Sequence, residues 1–171
     1  DFLCCKMTLE HIPLTSDFIA TIRAGLDPAI ATTVFFQVPE ADRIVRHCAF
    51  EDIYHEHCSY FTEDSLRLLF ERNGFKVIRT AIEYDDQYLT IEAVPAAQPV
   101  ERSHEEALTE LSDLVGSFPD RLAEHKRLWR QRVEDASTDG KKIVLWGSGS
   151  KAVSFLTSLG ISDEVDYVTD I

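Results

Sequence analysis

Lys76-Val77-Ile78-Arg79-Thr80-Ala81-Ile82-Glu83-Tyr84-Asp85-Asp86-Gln87-Tyr88-Leu89-Thr90-Ile91-Glu92-Ala93-Val94 is the stretch that decides how this chain folds. Residues 76–84 and 87–94 both carry the β-branched and aromatic residues that suit strands, and only Asp85-Asp86 separates them. A gap that short has no room for a helix, so the two strands must run antiparallel as a hairpin. Upstream the pattern alternates instead. Residues 2–7 form a short apolar run, and Phe18, Ile19, Ile22 and Leu26 fall at helical spacing until Asp27-Pro28 ends the helix. Residues 31–38 are β-rich, with Thr32, Thr33, Val34, Phe35 and Phe36, and Pro39 closes them. Thr62 is a natural N-cap for a helix over 63–73 striped by Leu66, Leu69 and Phe70, and Gly74 is its stop. The order is strand, helix, strand, helix, strand, strand. This predicts an α/β sheet in which the strand of Leu89 lies between those of Phe35 and Val77.

Downstream, Pro95-Ala96-Ala97-Gln98-Pro99 reads as a linker, dividing the chain into domains 1–98 and 99–171. A capping box, Ser103 with Glu106, opens a helical segment over 103–137. Its apolar face runs through Leu108, Leu111, Val115, Phe118, Leu122, Trp129 and Val133, and packing on its own domain is preferred to a coiled coil. Pro119 inside it predicts two helices or one kinked helix. Asp139-Gly140 then turns the chain into Lys142-Ile143-Val144-Leu145-Trp146, patterned as a buried parallel strand. Gly147-Ser148-Gly149-Ser150-Lys151-Ala152, a helix over 153–159 and a strand over 165–168 complete a β-α-β unit, residues 142–171, with a GxGxxA loop.

A formal charge of −13 and a pI near 4.8 argue against nucleic acid or an anionic membrane as the main partner. No apolar run approaches the roughly 20 residues needed to span a bilayer. Cys4, Cys5, Cys48 and Cys58 show neither CxxC spacing nor the density of a disulfide scaffold, which predicts reduced thiols and a cytoplasmic protein. Both ends read as interrupted strands, so the chain is expected to be a piece of a longer protein.

The densest chemistry lies in Glu51-Asp52-Ile53-Tyr54-His55-Glu56-His57-Cys58-Ser59-Tyr60-Phe61-Thr62, a loop expected beyond the carboxyl ends of the strands, where α/β sheets bind ligands. His57 and Tyr54 can each move a proton, and they would share a face were the segment helical or turn-like. Glu56 could orient an imidazole or hold a substrate hydroxyl. His11 follows the first strand and could reach the same crevice. The rival reading is an ordinary solvated loop with Tyr60 and Phe61 as aromatic anchors. A metal site from His55, His57 and Cys58 lacks a defined fourth ligand, so no metal is assigned. The second candidate is the loop of Gly147, Ser148, Gly149, Ser150 and Lys151. Open backbone N–H groups at a helix N-terminus plus a lysine would cradle a phosphate, and a tight strand-to-helix turn is the plain alternative.

These residues resemble a known family. Leu9-Glu10-His11-Ile12-Pro13 is similar to the stretch after the fourth strand of class I S-adenosylmethionine-dependent methyltransferases. The segment Ile53-Tyr54-His55-Glu56-His57-Cys58-Ser59-Tyr60-Phe61-Thr62 closely resembles the signature of the sugar C-methyltransferases, and Gln87-Tyr88-Leu89 fits their last strand. Residues 99–171 look like the start of the C-terminal domain those enzymes carry. The resemblance implies the second half of a Rossmann-like methyltransferase sheet, followed by helices and a β-α-β unit of a second Rossmann-like domain. It implies His57 and Tyr54 as an acid/base pair, Glu56 as a carboxylate beside it and His11 as a further active-site histidine. The implied reaction is methylation of a carbon α to a ketone in a nucleotide-linked sugar, through an enolate. The family's cysteine-rich zinc domain and its glycine-rich cofactor loop have no counterpart in these residues. Zinc is therefore expected only in an N-terminal domain outside them, and only Lys6 and Met7 remain beside the expected adenosine end of S-adenosylmethionine. This piece alone is expected to be inactive. The alternatives are a nucleotide- or phosphate-binding module without catalysis and an interaction protein assembled through the stripe that begins at Leu108. Neither the sugar nor an oligomeric state follows from the pattern.

Overall fold

A computed structural model describes residues 1–97, 105–161 and 163–170, with backbone only at 105–108. By compactness the chain divides into two units, Asp1–Arg43 with Glu56–Leu111, and Ile44–His55 with Ser112–Ile171. The boundary read at residue 98 and the Ser103 capping box fall outside the described residues.

The first unit is built on a four-stranded sheet. β1 (Phe2–Lys6) lies parallel to β2 (Thr33–Pro39), and helix α1 (Thr15–Gly25) connects them. Helices α2 (Ala41–His47) and α3 (Glu63–Arg72) precede the hairpin of β3 (Phe75–Glu83) and β4 (Tyr88–Pro95). The strand order is β1-β2-β4-β3, with β4 antiparallel to both neighbours. Leu89's strand thus sits between those of Phe35 and Val77, as the spacing predicts. The turn is wider than Asp85-Asp86 alone. Tyr84, Asp85 and Asp86 all have φ near +60°, so the strands stop at Glu83 and Tyr88. Aspartate tolerates that left-handed region better than most residues.

Strand alternation places the core. Val34, Phe36 and Val38 of β2 and Leu89, Ile91 and Ala93 of β4 are fully buried on one face. They pack with Ile19 of α1 and with Leu66 and Phe70 of α3. Phe36 meets Phe70 edge to face, centroids 5.1 Å apart. Thr62 caps α3 in a reciprocal box with Ser65, and Gly74 at φ +80° ends the helix region. Helix α2 has no counterpart in the sequence reading, which runs straight from strand into loop. Its signal was present: Ala41, Ile44 and Cys48 are buried at helical spacing, and the Glu40 carboxylate accepts the N–H groups of Asp42 and Arg43.

The second unit holds most of α4 (Glu105–Thr138), then β5 (Val144–Trp146), α5 (Ser150–Leu159) and β6 (Tyr167–Thr169), with β5 parallel to β6. Helix α4 is continuous through Pro119. A proline there removes an N–H and crowds the preceding turn. The carbonyl that loses its helical donor is that of Val115; one residue earlier, the Leu114 carbonyl accepts from Ser117 Oγ and the Arg121 guanidinium, each at 3.1 Å. Leu122, Trp129 and Val133 pack in this unit's own core with Phe50, Phe155 and Leu159, whereas Val115 of the same stripe is exposed.

Three sequence expectations need correction. Helix α5 begins at Ser150, not 153, because Ala152 and Val153 already donate to Gly149 O. The strand begins at Val144, not Lys142, since the Ile143 N–H is taken by the Asp166 carboxylate. Nor is it buried: Val144 and Trp146 are 55% and 76% exposed. Among the described residues no helix is long and apolar enough to cross a membrane.

Candidate active site

Lys6 ends β1, and Met7 follows at φ +50°, its N–H donating to Gln37 O at 2.9 Å. The left-handed step turns the chain out of the sheet into a single 3₁₀ turn, Leu9–His11, at the carboxyl end of β1. Leu9 anchors the turn in the core, and Glu10 is carried inside with it. The loop before α3 is laced to this turn. Cys58 and Ser59 N–H groups both donate to Glu10 O, at 2.7 and 3.2 Å, and Ala41 N–H donates to Phe61 O. These bonds seat residues 56–61 against the Leu9–His11 turn, beyond the carboxyl ends of the parallel strands.

His57 is thereby buried beside His11, ring centroids 5.0 Å apart and edge to face. Tyr60 meets His57 edge to face at 5.9 Å and is exposed, while Phe61 is the anchor in the core. His11 Nδ1 lies 2.9 Å from the Glu56 carbonyl. It is thus the carbonyl of Glu56 that meets an imidazole in this way; the Glu56 side chain is exposed. Tyr54 and His55 belong to the second unit, and the backbone turns at His55–Glu56 without forming a helix.

Glu10 is the residue that sequence reasoning missed. It is 1% exposed, its carboxylate oxygens make no hydrogen bond, and Oε1 is 3.9 Å from His11 Nε2. Burial pushes its carboxyl above the usual carboxylate range, partly offset by nearby backbone amides and His11. Only its place between Leu9 and His11 hinted at a role, because a one-turn 3₁₀ segment can bury neighbours that a strand would separate. Burial also pushes the Cys5 thiol up, helped by the Glu10 charge and opposed by Thr8, which suits an inert thiol. All four cysteines are free.

Ligand atoms of Glu10, His11 and His57 lie within 4.8 Å of one another. Zinc with bonds of about 2.1 Å would hold its ligands about 3.4 Å apart in a tetrahedron. The 3.9 Å between Glu10 and His11 is wider than that. Among the described residues, the grouping of His55, His57 and Cys58 is not assembled. Lys6 and Met7 are exposed at the end of β1, and no glycine-rich turn adjoins them. The residues present do not by themselves form a site for an adenosyl cofactor.

In the second unit, the Gly147 N–H donates to Thr169 O at 2.7 Å, continuing the parallel ladder, with Gly147 at φ +101°. This corrects the expectation of a fully open cradle. Ser148 donates to the Asp170 carboxylate, and Lys151 Nζ is 2.6 Å from Asp52 Oδ1. Gly149 caps α5, whose first turn includes Ser150 and Lys151.

Residues 1–80 match the family model of a methyltransferase domain. Over 176 aligned residues the chain is 26% identical to the C-methyltransferase NovU of Streptomyces niveus, covering 96% of this chain and 41% of that protein. The chain thus spans about two fifths of the length of this curated relative. Among solved structures, magnesium protoporphyrin IX methyltransferase from Synechocystis PCC 6803, with SAH bound, is similar at a TM-score of 0.42 and 16% identity. That likeness covers 56% of this chain and 45% of the other. The match over residues 1–80 falls on the part of the chain that builds β1, α1, β2, α2 and α3.

Proposed function

We propose that the intact protein is a C-methyltransferase that methylates a carbon α to the ketone of a nucleotide-linked sugar, and that His57 is its base. The observation that carries this reading is the buried His57 imidazole in edge-to-face contact with the exposed His11 at the carboxyl end of the sheet, in a chain similar to a C-methyltransferase. A ketone acidifies the adjacent C–H, and an ordinary imidazole is matched to accept that proton near neutral pH. The electron pair left behind moves onto the ketone oxygen, giving the enolate. Tyr54 is the donor proposed to meet that oxygen, and Glu56 and His11 help to seat the sugar. S-adenosylmethionine would be the methyl donor of the intact protein, and Lys6 and Met7 are the residues of this chain proposed to adjoin it. Zinc is assigned to no residue of this chain. A cytoplasmic site of action fits the four free thiols.

The alternative, a phosphate-binding module centred on Gly147–Lys151 of the second unit, has less support, because Gly147 N–H and Lys151 already engage Thr169 and Asp52. In the full-length protein, His57→Asn should retain the fold and lower turnover by about 10²-fold or more. The deciding measurement is exchange of the sugar's α-proton with deuterated solvent in the absence of methyl donor. If His57→Asn exchanges as fast as wild type while Tyr54→Phe does not, the two roles are reversed.

A further inference from the structure

The hydrogen bond at the edge of the imidazole pair fixes more than the position of His11. A carbonyl oxygen can only accept, so the 2.9 Å contact between His11 Nδ1 and Glu56 O places a hydrogen on Nδ1. In a neutral His11 the other nitrogen, Nε2, is then a bare lone pair. That nitrogen is 3.9 Å from Oε1 of Glu10, a carboxyl that is 1% exposed and makes no hydrogen bond. An ionised Glu10 facing a neutral His11 would leave a carboxylate cut off from water with only a second acceptor opposite it, although His11 itself is 40% exposed. Such an arrangement is costly, and a single proton on either partner relieves it.

We propose that Glu10 and His11 hold one proton between them at neutral pH, and that Glu10 is thereby a positioning residue that keeps His11 electropositive beside His57. The surrounding groups favour this state. From the loop, His57 and Cys58 face the pair, with Tyr60 behind His57; from β1, Cys5 faces Glu10. No lysine or arginine contacts Glu10 among the described residues, so His11 is the base at hand to offset its charge. The upward push of burial on the Glu10 carboxyl acts in the same direction. With the shared proton on His11, a positive ring edge lies 5.0 Å from His57, where it can face a developing enolate. This last consequence rests on the proposed function; the shared proton does not.

The full chain, labelled with ¹⁵N in histidine and ¹³C in glutamate carboxyls, tests the proposal by NMR at neutral pH. Expected are a protonated His11 Nδ1 together with a protonated Nε2 beside an ionised Glu10, and loss of the Nε2 proton in Glu10→Gln; an acid-form Glu10 beside a neutral His11 would keep the proton count but overturn the positioning role. A His11 carrying its hydrogen on Nε2 alone, or a bare Nε2 beside an ionised Glu10, overturns the proposal, and wild-type spectra decide this even if the variant fails to fold. In the full-length enzyme, Glu10→Gln should move the basic limb of the turnover profile to lower pH while KM for the sugar stays unchanged. This follows because removing the carboxylate's negative charge lets the proton leave sooner as pH rises. A basic limb that stays in place overturns the positioning role. Exchange of the sugar's α-proton that does not depend on His57 would instead overturn the proposed function and leave the proton count standing.

Discussion

In the first unit Val34, Phe36, Val38, Leu89 and Ile91 of the sheet are fully buried, whereas Val144, Trp146, Tyr167 and Val168 in the sheet of the second unit are about half to three-quarters exposed. Both sets come from apolar, β-branched or aromatic runs, so residue type is not what separates them. The number of neighbours is. In the first unit β2 and β4 each lie between two strands, and α1 and α3 cover one face. In the second, among the described residues, β5 and β6 pair only with each other, each three residues long, and the core forms from α4, α5 and Phe50. An apolar run fixes that a strand will form, but burial depends on how many layers and strands surround it.

Substitutions in each unit sharpen this contrast. Phe36→Ala should have the largest effect, a loss of about 3–5 kcal/mol in denaturant unfolding, because it opens a cavity in a packed core. A loss below about 1 kcal/mol would mean that the first unit's core is far more yielding than its burial implies. Ser154→Ala probes the second unit where it is closed. The buried hydroxyl donates within hydrogen-bond reach of both Phe50 O at 3.1 Å and Ile53 O at 2.9 Å, and its removal should cost about 1–3 kcal/mol. A neutral result would show that these carbonyls find other donors. Trp146→Ala, at 76% exposure, should change stability by no more than about 0.5 kcal/mol despite being the largest side chain truncated. A cost comparable to that of Phe36→Ala would erase the contrast between the two sheets.

The two candidate sites differ in the same way. The histidine site is partly enclosed: Glu10 and His57 are buried, His11 is exposed, and backbone bonds lace the loop to the Leu9–His11 turn. The glycine loop is open at Ser148, Gly149 and Ser150, but Gly147 and Lys151 are engaged within its own unit. A dense run of titratable residues was therefore a better guide to a partly enclosed site than a glycine pattern, since glycine spacing serves equally well for a tight turn.

The sequence by itself determined the order of β1, α1, β2, α3 and the hairpin, though not α2, because two strand patterns joined by a few residues can pair in only one direction. It also determined the α3 cap at Thr62, which is a local property of a hydroxyl next to amides. It placed His11 and His57 as candidates by residue type. Tertiary structure decided that they meet, since 45 residues separate His11 from Glu56, whose carbonyl holds its ring. It also brought in Glu10, which no spacing rule marks, because the turn that anchors Leu9 in the core carries the neighbouring carboxylate inside. It left the β5 strand exposed, because burial belongs to the assembly of layers and is not a property of any single run.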